Sequence, residues 1–180
     1  NVCSVSNSYL HFEEPKSFLA AMSWGNCGYA MPAAMGAKVG QPDRPAIAYV
    51  GDGAWGMSLT EVMTCVREQI PVVAVVFENQ QWGAEQRNQL DFFDGRCVAT
   101  DLTNPSFAEI ARAMGASGVS VGHADQVGDA LQAAVASNIP TVLELHLTRD
   151  LSEPFRRDAF RPQPLRLLEK YQKLGGKPRE

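Results

Sequence analysis

Two side chains in this sequence have types and spacing that could do chemistry together. Asp52 sits inside Gly51-Asp52-Gly53, and Asn79 follows it by 27 residues. Each closes an apolar run, the first at 46–50 and the second at 71–77. A carboxylate and an amide oxygen are hard donors of the kind Mg²⁺ takes, with phosphate oxygens and water completing about six ligands. The glycines also spell Gly51-x-Gly53-x-x-Gly56, the pattern of a dinucleotide-binding turn, with Glu78 placed to read a ribose. Asp52 weighs against that reading. A carboxylate in a turn that cradles a pyrophosphate adds repulsion unless a cation lies between them. A metal removes the conflict: Asp52 and Asn79 supply side-chain oxygens, and the Gln81 carbonyl adds a third. The N–H groups of Gly53 and Ala54 then face a phosphate at a helix start. Taken singly, Asp52 and Asn79 are ordinary turn residues at strand ends.

The elements that must position these residues read as a βαβ unit. Two short apolar runs flank an amphipathic stretch, so the strands are expected to be parallel and both turns to lie at one sheet edge. Ligands bind at that edge in open α/β folds. Residues 1–17 read as polar and irregular. Gly25 and Gly28 bracket a turn before a helix over 29–39, with Pro32 in its first turn. Ser58 with Glu61 spells a capping box, with Leu59, Val62, Met63 and Val66 as the apolar face. Residues 84–103 read as a long polar irregular segment, a length that often marks function. A helix is expected from Asn104-Pro105 to about Met114, a strand at 118–121, a helix capped by Asp125 to about Ser137, and a strand at 140–147. The alternation predicts an α/β fold: a parallel sheet flanked by helices on both faces. Residues 151–180, with four prolines and an Arg cluster, read as an extended C-terminal tail that is helical at 165–174.

The chain has 180 residues, enough for one domain plus a tail. Its net charge of −4 argues against a nucleic-acid footprint and against a basic membrane-surface binder. No run of 18 apolar residues suggests a membrane span. The first residue is Asn1 and no signal pattern follows, which reads as a piece of a longer chain. Cys3, Cys27, Cys65 and Cys97 are far apart and form no CxxC, so reduced, buried thiols in a cytoplasmic protein are expected. His11, His123 and His146 share no spacing, and His146 reads as structural.

The Gly51-Asp52-Gly53 turn, Asn79 and the following Trp82-Gly83 resemble the cofactor motif of the thiamine diphosphate enzymes. The resemblance implies that Asp52, the Asn79 side chain and the Gln81 carbonyl hold Mg²⁺ (or Ca²⁺), which holds the diphosphate of thiamine diphosphate. It adds Gly53, Ala54 and Gly83 to the cofactor-binding set. The family often has Asn-Asn where this chain has Glu78-Asn79, so the first Asn is replaced and the metal position kept. The segment 24–34 is similar to the Gly-rich turn before a helix in acetolactate synthase relatives. That similarity implies that the Gly25 carbonyl accepts from the aminopyrimidine and that Cys27 props the bent cofactor. Cys27 is smaller than the Met or Leu often found there, and a plain core thiol competes with that role. Asn7 and Ser8 align with a polar pair that touches the diphosphate.

Segments 51–89, 106–116 and 153–160 closely resemble the sulfoacetaldehyde acetyltransferase branch of this family, and the likeness runs from about Ser6 to Tyr171. It implies conversion of sulfoacetaldehyde and phosphate to acetyl phosphate and sulfite. Acetolactate synthase or a sulfopyruvate-type decarboxylase is the alternative, and a fragment that binds Mg²⁺ and diphosphate without catalysis is another. Residues 1–150 would be the diphosphate-binding domain and 151–180 its tail. The pyrimidine-binding domain, with the acidic residue that activates the cofactor, would lie outside this chain, in the same or a neighbouring subunit of a homodimer or homotetramer. No catalytic residue is therefore assigned here. Arg156 and Arg157 are candidates for sulfonate or phosphate, because a guanidinium fork suits oxyanions. A salt bridge with Asp158 is the competing reading. Gln86, Arg87 and Asn88 are weaker candidates of the same kind.

Overall fold

The computed structural model describes residues 2–21 and 23–150. Helix α1 is Val2–Tyr9, α2 is Ala30–Gly40, β1 is Ala46–Gly51 and α3 is Asp52–Gly56. Then come α4 at Glu61–Arg67, β2 at Val72–Glu78, α5 at Gly83–Phe92 and α6 at Phe107–Ala113. Strand β3 is Ser117–Val121, α7 is Val127–Ser137 and β4 is Thr141–His146. The four strands run in the order β1-β2-β4-β3, and every neighbouring pair is parallel.

The register brings the functional ends together. Gly51 pairs with Phe77, and Glu78 pairs with His146. The C-terminal ends of β1, β2 and β4 therefore reach one edge, and the residues that follow them face one another. Strand β2 is buried at Val72 through Val76 because successive side chains enter opposite cores. Val72, Ala74 and Val76 pack with Met31, Trp55, Val62, Cys65, Phe107 and Ala111. Val73 and Val75 pack with Val121, Ala134, Leu143 and Leu145, beneath α7. Helices thus cover both faces of the central strands. Strand β1 is buried on one face only: Ala48 and Val50 are inside, while Ile47 and Tyr49 are exposed.

Several local expectations are corrected. Residues 2–9 are helical, not irregular. The Ser58–Glu61 capping box does not form: Thr60 is the N-cap of α4, no side chain caps it, and the Ser58 hydroxyl is buried without a partner. A separate short helix, α3, occupies 52–56 instead, and residues 57–60 form turns. The buried face of α4 is Val62 and Cys65, while Met63 is half exposed. The polar stretch after Gly83 is helix α5 over ten residues, with no buried side chain. Charge pairing supports it: Arg87 Nε donates to Asp91 Oδ2 at 2.9 Å, one turn on. Helix α6 begins at Phe107, because the Ser106 side chain caps it by accepting from Glu109 N at 3.2 Å. Glu144 on β4, itself 2% exposed, accepts from Phe107 N at 2.9 Å and from Ala108 N at 3.3 Å. Asp125 does not cap α7; it lies in a 3₁₀ turn, Ala124–Gln126, that leads into it.

Candidate functional site

Asp52 is the first residue of α3, immediately after β1, and only 3% exposed. Its carboxylate is tied down on both oxygens. Oδ1 accepts from Gly53 N at 2.9 Å. Oδ2 accepts from Gln80 N at 2.7 Å, from Asn79 N at 3.2 Å and from Asn104 Nδ2 at 2.9 Å. One carboxylate therefore staples the turn after β1 to the turn after β2. Among the described residues no Lys, Arg or His pairs with it. A buried charge held only by neutral donors is costly, and a cation beside it would offset that cost.

Asn79 follows β2 and is half buried, and the chain then turns sharply. Gln80 has φ +55°, in the left-handed region that a non-glycine residue rarely adopts. The turn is strapped from outside. Leu102 N and Arg149 Nη2 both donate to the Gln80 carbonyl, at 2.9 and 2.8 Å. Arg149 Nη1 also reaches Asp101 Oδ1 at 2.8 Å. Gln81 bridges Asp101, and Trp82 N donates to Thr100 O at 2.8 Å. Gln81 is 5% exposed, and its side-chain Oε1 is buried with no partner. Trp82 lies flat against Gly53. A Cβ on Gly53 would sit 2.8 Å from the indole Cδ2, so the position admits only glycine without movement. Gly83 opens α5, and Ala54 lies within α3.

The structure adds residues that the spacing argument did not reach. Asn104 donates from Nδ2 to Glu78 Oε1 at 3.2 Å as well as to Asp52. Glu78, 6% exposed, contacts His146 Nδ1 through Oε2 at 3.2 Å. His146 Nε2 lies 2.7 Å from Ser120 Oγ. A line of polar contacts thus runs along the edge from β3 to the turn after β1. Asn104 preceding Pro105 carries no signal of this role, since Asn-Pro is a common way into a helix. Glu78 at the end of a buried strand was the one available hint.

Other predicted residues lie elsewhere or are partly described. Gly25 and Gly28 have φ +62° and +81°, which makes the tight turn expected there. Cys27 in that turn is exposed as a residue, as are Cys3 and Cys97, so of the four cysteines expected to be buried only Cys65 is a core thiol. The Cys27 thiol pKa is nevertheless raised, by partial desolvation and by the nearby Glu85 carboxylate. Asn7 and Ser8 fall within α1 rather than in a loop. Arg156 and Arg157 lie outside the described residues. Gln86, Arg87 and Asn88 are on α5, where Arg87 is engaged with Asp91. A shallow cleft lined by Pro45, Ala46, Pro71 and Asn138 lies at the N-terminal ends of the strands, opposite to Asp52. Among the described residues no three His, Cys, Asp or Glu side chains cluster as a metal cage. An edge where the Asp52 carboxylate lies beside amide and carbonyl groups suits instead a hard cation that shares its shell with phosphate and water. No helix of the described residues is long and apolar enough to cross a membrane.

A parallel sheet whose edge carries a buried carboxylate, held among the described residues by neutral donors, beside a strapped turn defines a class of cofactor-binding α/β domain. The family model described as thiamine pyrophosphate enzyme, C-terminal TPP binding domain, matches residues 1–145, and the chain belongs to that family. It is 60% identical over 175 residues to a sulfoacetaldehyde acetyltransferase of Castellaniella defragrans, covering 95% of this chain and 29% of that protein. The corresponding enzyme of Alcaligenes xylosoxydans xylosoxydans is 57% identical over the same share of each chain. An acetolactate synthase large subunit of Parasynechococcus marenigrum is more distant, 34% identical over 75% of this chain and 22% of its own. Among solved structures, a thiamine diphosphate-dependent 4-hydroxybenzoylformate decarboxylase of Rhodococcus jostii RHA1 matches with a TM-score of 0.65 at 29% identity. That match covers 70% of this chain and 24% of the decarboxylase chain. The chain thus spans less than a third of the length of the curated relatives it matches.

Proposed function

We propose that these residues form the cofactor-binding part of an enzyme that converts sulfoacetaldehyde and phosphate to acetyl phosphate and sulfite. The observation that carries the cofactor assignment is Asp52, a buried carboxylate with no cationic partner among the described residues, stapled to the 79–80 turn at the sheet edge. The likeness to sulfoacetaldehyde acetyltransferases over 95% of the chain supports the substrate class.

In this reading Asp52, the Asn79 side chain and the Gln81 carbonyl hold Mg²⁺ or Ca²⁺ against a diphosphate. Gly53 and Ala54 sit at the start of α3, and Gly53 leaves room for Trp82 to close on the turn. Asn7, Ser8, Gly25, Cys27 and Gly83 complete the contacts to the cofactor. Bound thiamine diphosphate supplies a carbon nucleophile and an electron sink. What this chain contributes is grip and orientation. The strapped 79–82 turn keeps the donor atoms in place, and the buried carboxylate attracts the cation. Arg156 and Arg157 bind the sulfonate or phosphate group.

The residue that activates the cofactor lies on a pyrimidine-binding domain, in the same or a neighbouring subunit of a homodimer or homotetramer. Exposed Leu10, Phe12, Phe18, Leu19 and Trp24 support a covered face, since large apolar surface left in water marks association. Residues 1–150 act as the binding domain and 151–180 as its tail. A cytoplasmic home fits the exposed thiols of Cys27 and Cys97.

The test uses the full-length enzyme with thiamine diphosphate, Mg²⁺ and sulfoacetaldehyde. Sulfite and acetyl phosphate are expected together, and only when phosphate is supplied. Acetolactate formed from pyruvate, with no turnover of sulfoacetaldehyde, would overturn the substrate assignment.

A further inference from the structure

We propose that Asn104 and Glu78 are positioning residues that turn Asp52 so that its Oδ1, not its Oδ2, faces the cation. The proposal rests on the reading of Asp52 as a cation ligand. A carboxylate has about four acceptor sites, two on each oxygen. Oδ2 receives three N–H donors, from Asn79, Gln80 and Asn104, and is saturated. Oδ1 receives one, from Gly53, and keeps acceptor capacity.

Two of the donors on Oδ2 are backbone groups of the turn and would be present with any side chains. The third comes from a separate segment. The Asn104 amide has two N–H bonds, one directed to Asp52 Oδ2 and the other to Glu78 Oε1. Both hydrogens are used, and a flipped amide would turn its oxygen toward two carboxylate oxygens instead. Glu78 is in turn held on its other oxygen by His146 Nδ1. Glu78 and Asp52 are 6% and 3% exposed. Two nearly buried acids are thus bridged by one neutral amide, which fixes Asp52.

The role needs a hydrogen-bond acceptor at position 78 and two donors at 104. Partners of this kind behind a metal ligand typically govern about ten- to a hundredfold in metal affinity. The experiment measures Mn²⁺ binding to the intact enzyme with thiamine diphosphate present, by the electron paramagnetic resonance of free Mn²⁺. Unfolding of each variant is followed in parallel. Asn104→Ala and Glu78→Ala are each expected to weaken Mn²⁺ by about tenfold or more. Glu78→Gln keeps the acceptor and is expected to restore affinity to within a fewfold of wild type. The Asn104→Ala/Glu78→Ala pair should be no weaker than Asn104→Ala alone, because Glu78 acts through Asn104. If Asn104→Ala does not fold, Glu78→Ala and Asn104→Ser carry the test.

Asp52→Ala separates the two levels. Loss of Mn²⁺ in Asp52→Ala, with wild-type affinity in Asn104→Ala and Glu78→Ala, would overturn the positioning role and leave the cation reading standing. Wild-type affinity in Asp52→Ala would overturn both. Equal weakening in Glu78→Ala and Glu78→Gln would also overturn the role assigned to the hydrogen bond.

Discussion

Gln80 donates its backbone N–H to Asp52 Oδ2 at 2.7 Å, across a separation of 28 residues. This bond joins the ends of two adjacent parallel strands through a side chain. It also holds Gln80 in the left-handed region, at φ +55°. The expected consequence is that Asp52 matters to fold and to ligand alike. Asp52→Ala should lose about 2–4 kcal/mol, because several buried N–H groups are left without an acceptor. Thiamine diphosphate binding should then no longer depend on Mg²⁺. Chemical denaturation and isothermal titration measure the two effects separately.

Gly53 and Trp82 should be coupled. Gly53→Ala puts a methyl group 2.8 Å from the indole, which must move. A loss of about 1–3 kcal/mol is expected, with a shift in Trp82 emission. In a double-mutant cycle with Trp82→Ala, much of the penalty should vanish. A purely additive cycle would show that the close approach is not what makes glycine necessary.

Glu144 offers a contrast to the cation edge. Its buried carboxylate accepts from Ser106 Oγ, Phe107 N and Ala108 N, at the start of α6. Glu144→Ala should cost about 2–4 kcal/mol. Mn²⁺ affinity measured below the unfolding transition should stay at the wild-type value. A fall in affinity would mean that α6 is part of the cation site.

Cys65 predicts a pH dependence at the alkaline end. It is fully buried, and burial followed by the nearby Glu61 carboxylate pushes its thiol up to about 11, from an ordinary value of 9.0. The thiol is protonated in both states below about 9 and contributes its full share there. Between about 9 and about 11 it ionises in the unfolded chain but not in the folded one. Stability should therefore fall with rising pH in that window, at up to ~1.4 kcal/mol per pH unit from this group. The comparison is with Cys65→Ala, whose stability should decline less steeply over the same range.

Trp24 is 91% exposed, and Phe18 and Leu19 are exposed as well. Trp24→Asp should leave the unfolding of this chain within about 0.5 kcal/mol of wild type, as surface changes usually do. In the full-length enzyme it should weaken assembly, seen as dissociation at lower dilution in sedimentation velocity. Unchanged assembly would place the covered face elsewhere.

Much of the α/β frame was legible because hydrophobic periodicity is local. The runs at 46–50 and 71–77 had to be strands, and strand parallelism followed from the helix between them. Glycine at 51 and 53 and the 27-residue step to Asn79 pointed to one edge. The helices fared worse where polar composition hid them. None of residues 84–92 is fully buried, so no apolar stripe announces α5, and pairs such as Arg87–Asp91 leave no periodic signal. Ser58 and Glu61 had the spelling of a cap, yet the short helix α3 consumed the chain first.

The sequence by itself determined the strand-turn-helix frame, the carboxylate within the glycine turn and the likeness to a thiamine diphosphate family. Only the tertiary structure decided what that carboxylate touches. Asn104 comes 52 residues after Asp52 and Glu78 26 after it, and His146 is a further 68 beyond Glu78. Parallel register brings these distant positions to one edge, and no local pattern records such a meeting. Burial then converts it into a constraint. A side chain that could turn freely in water must, inside, satisfy every donor and acceptor it meets.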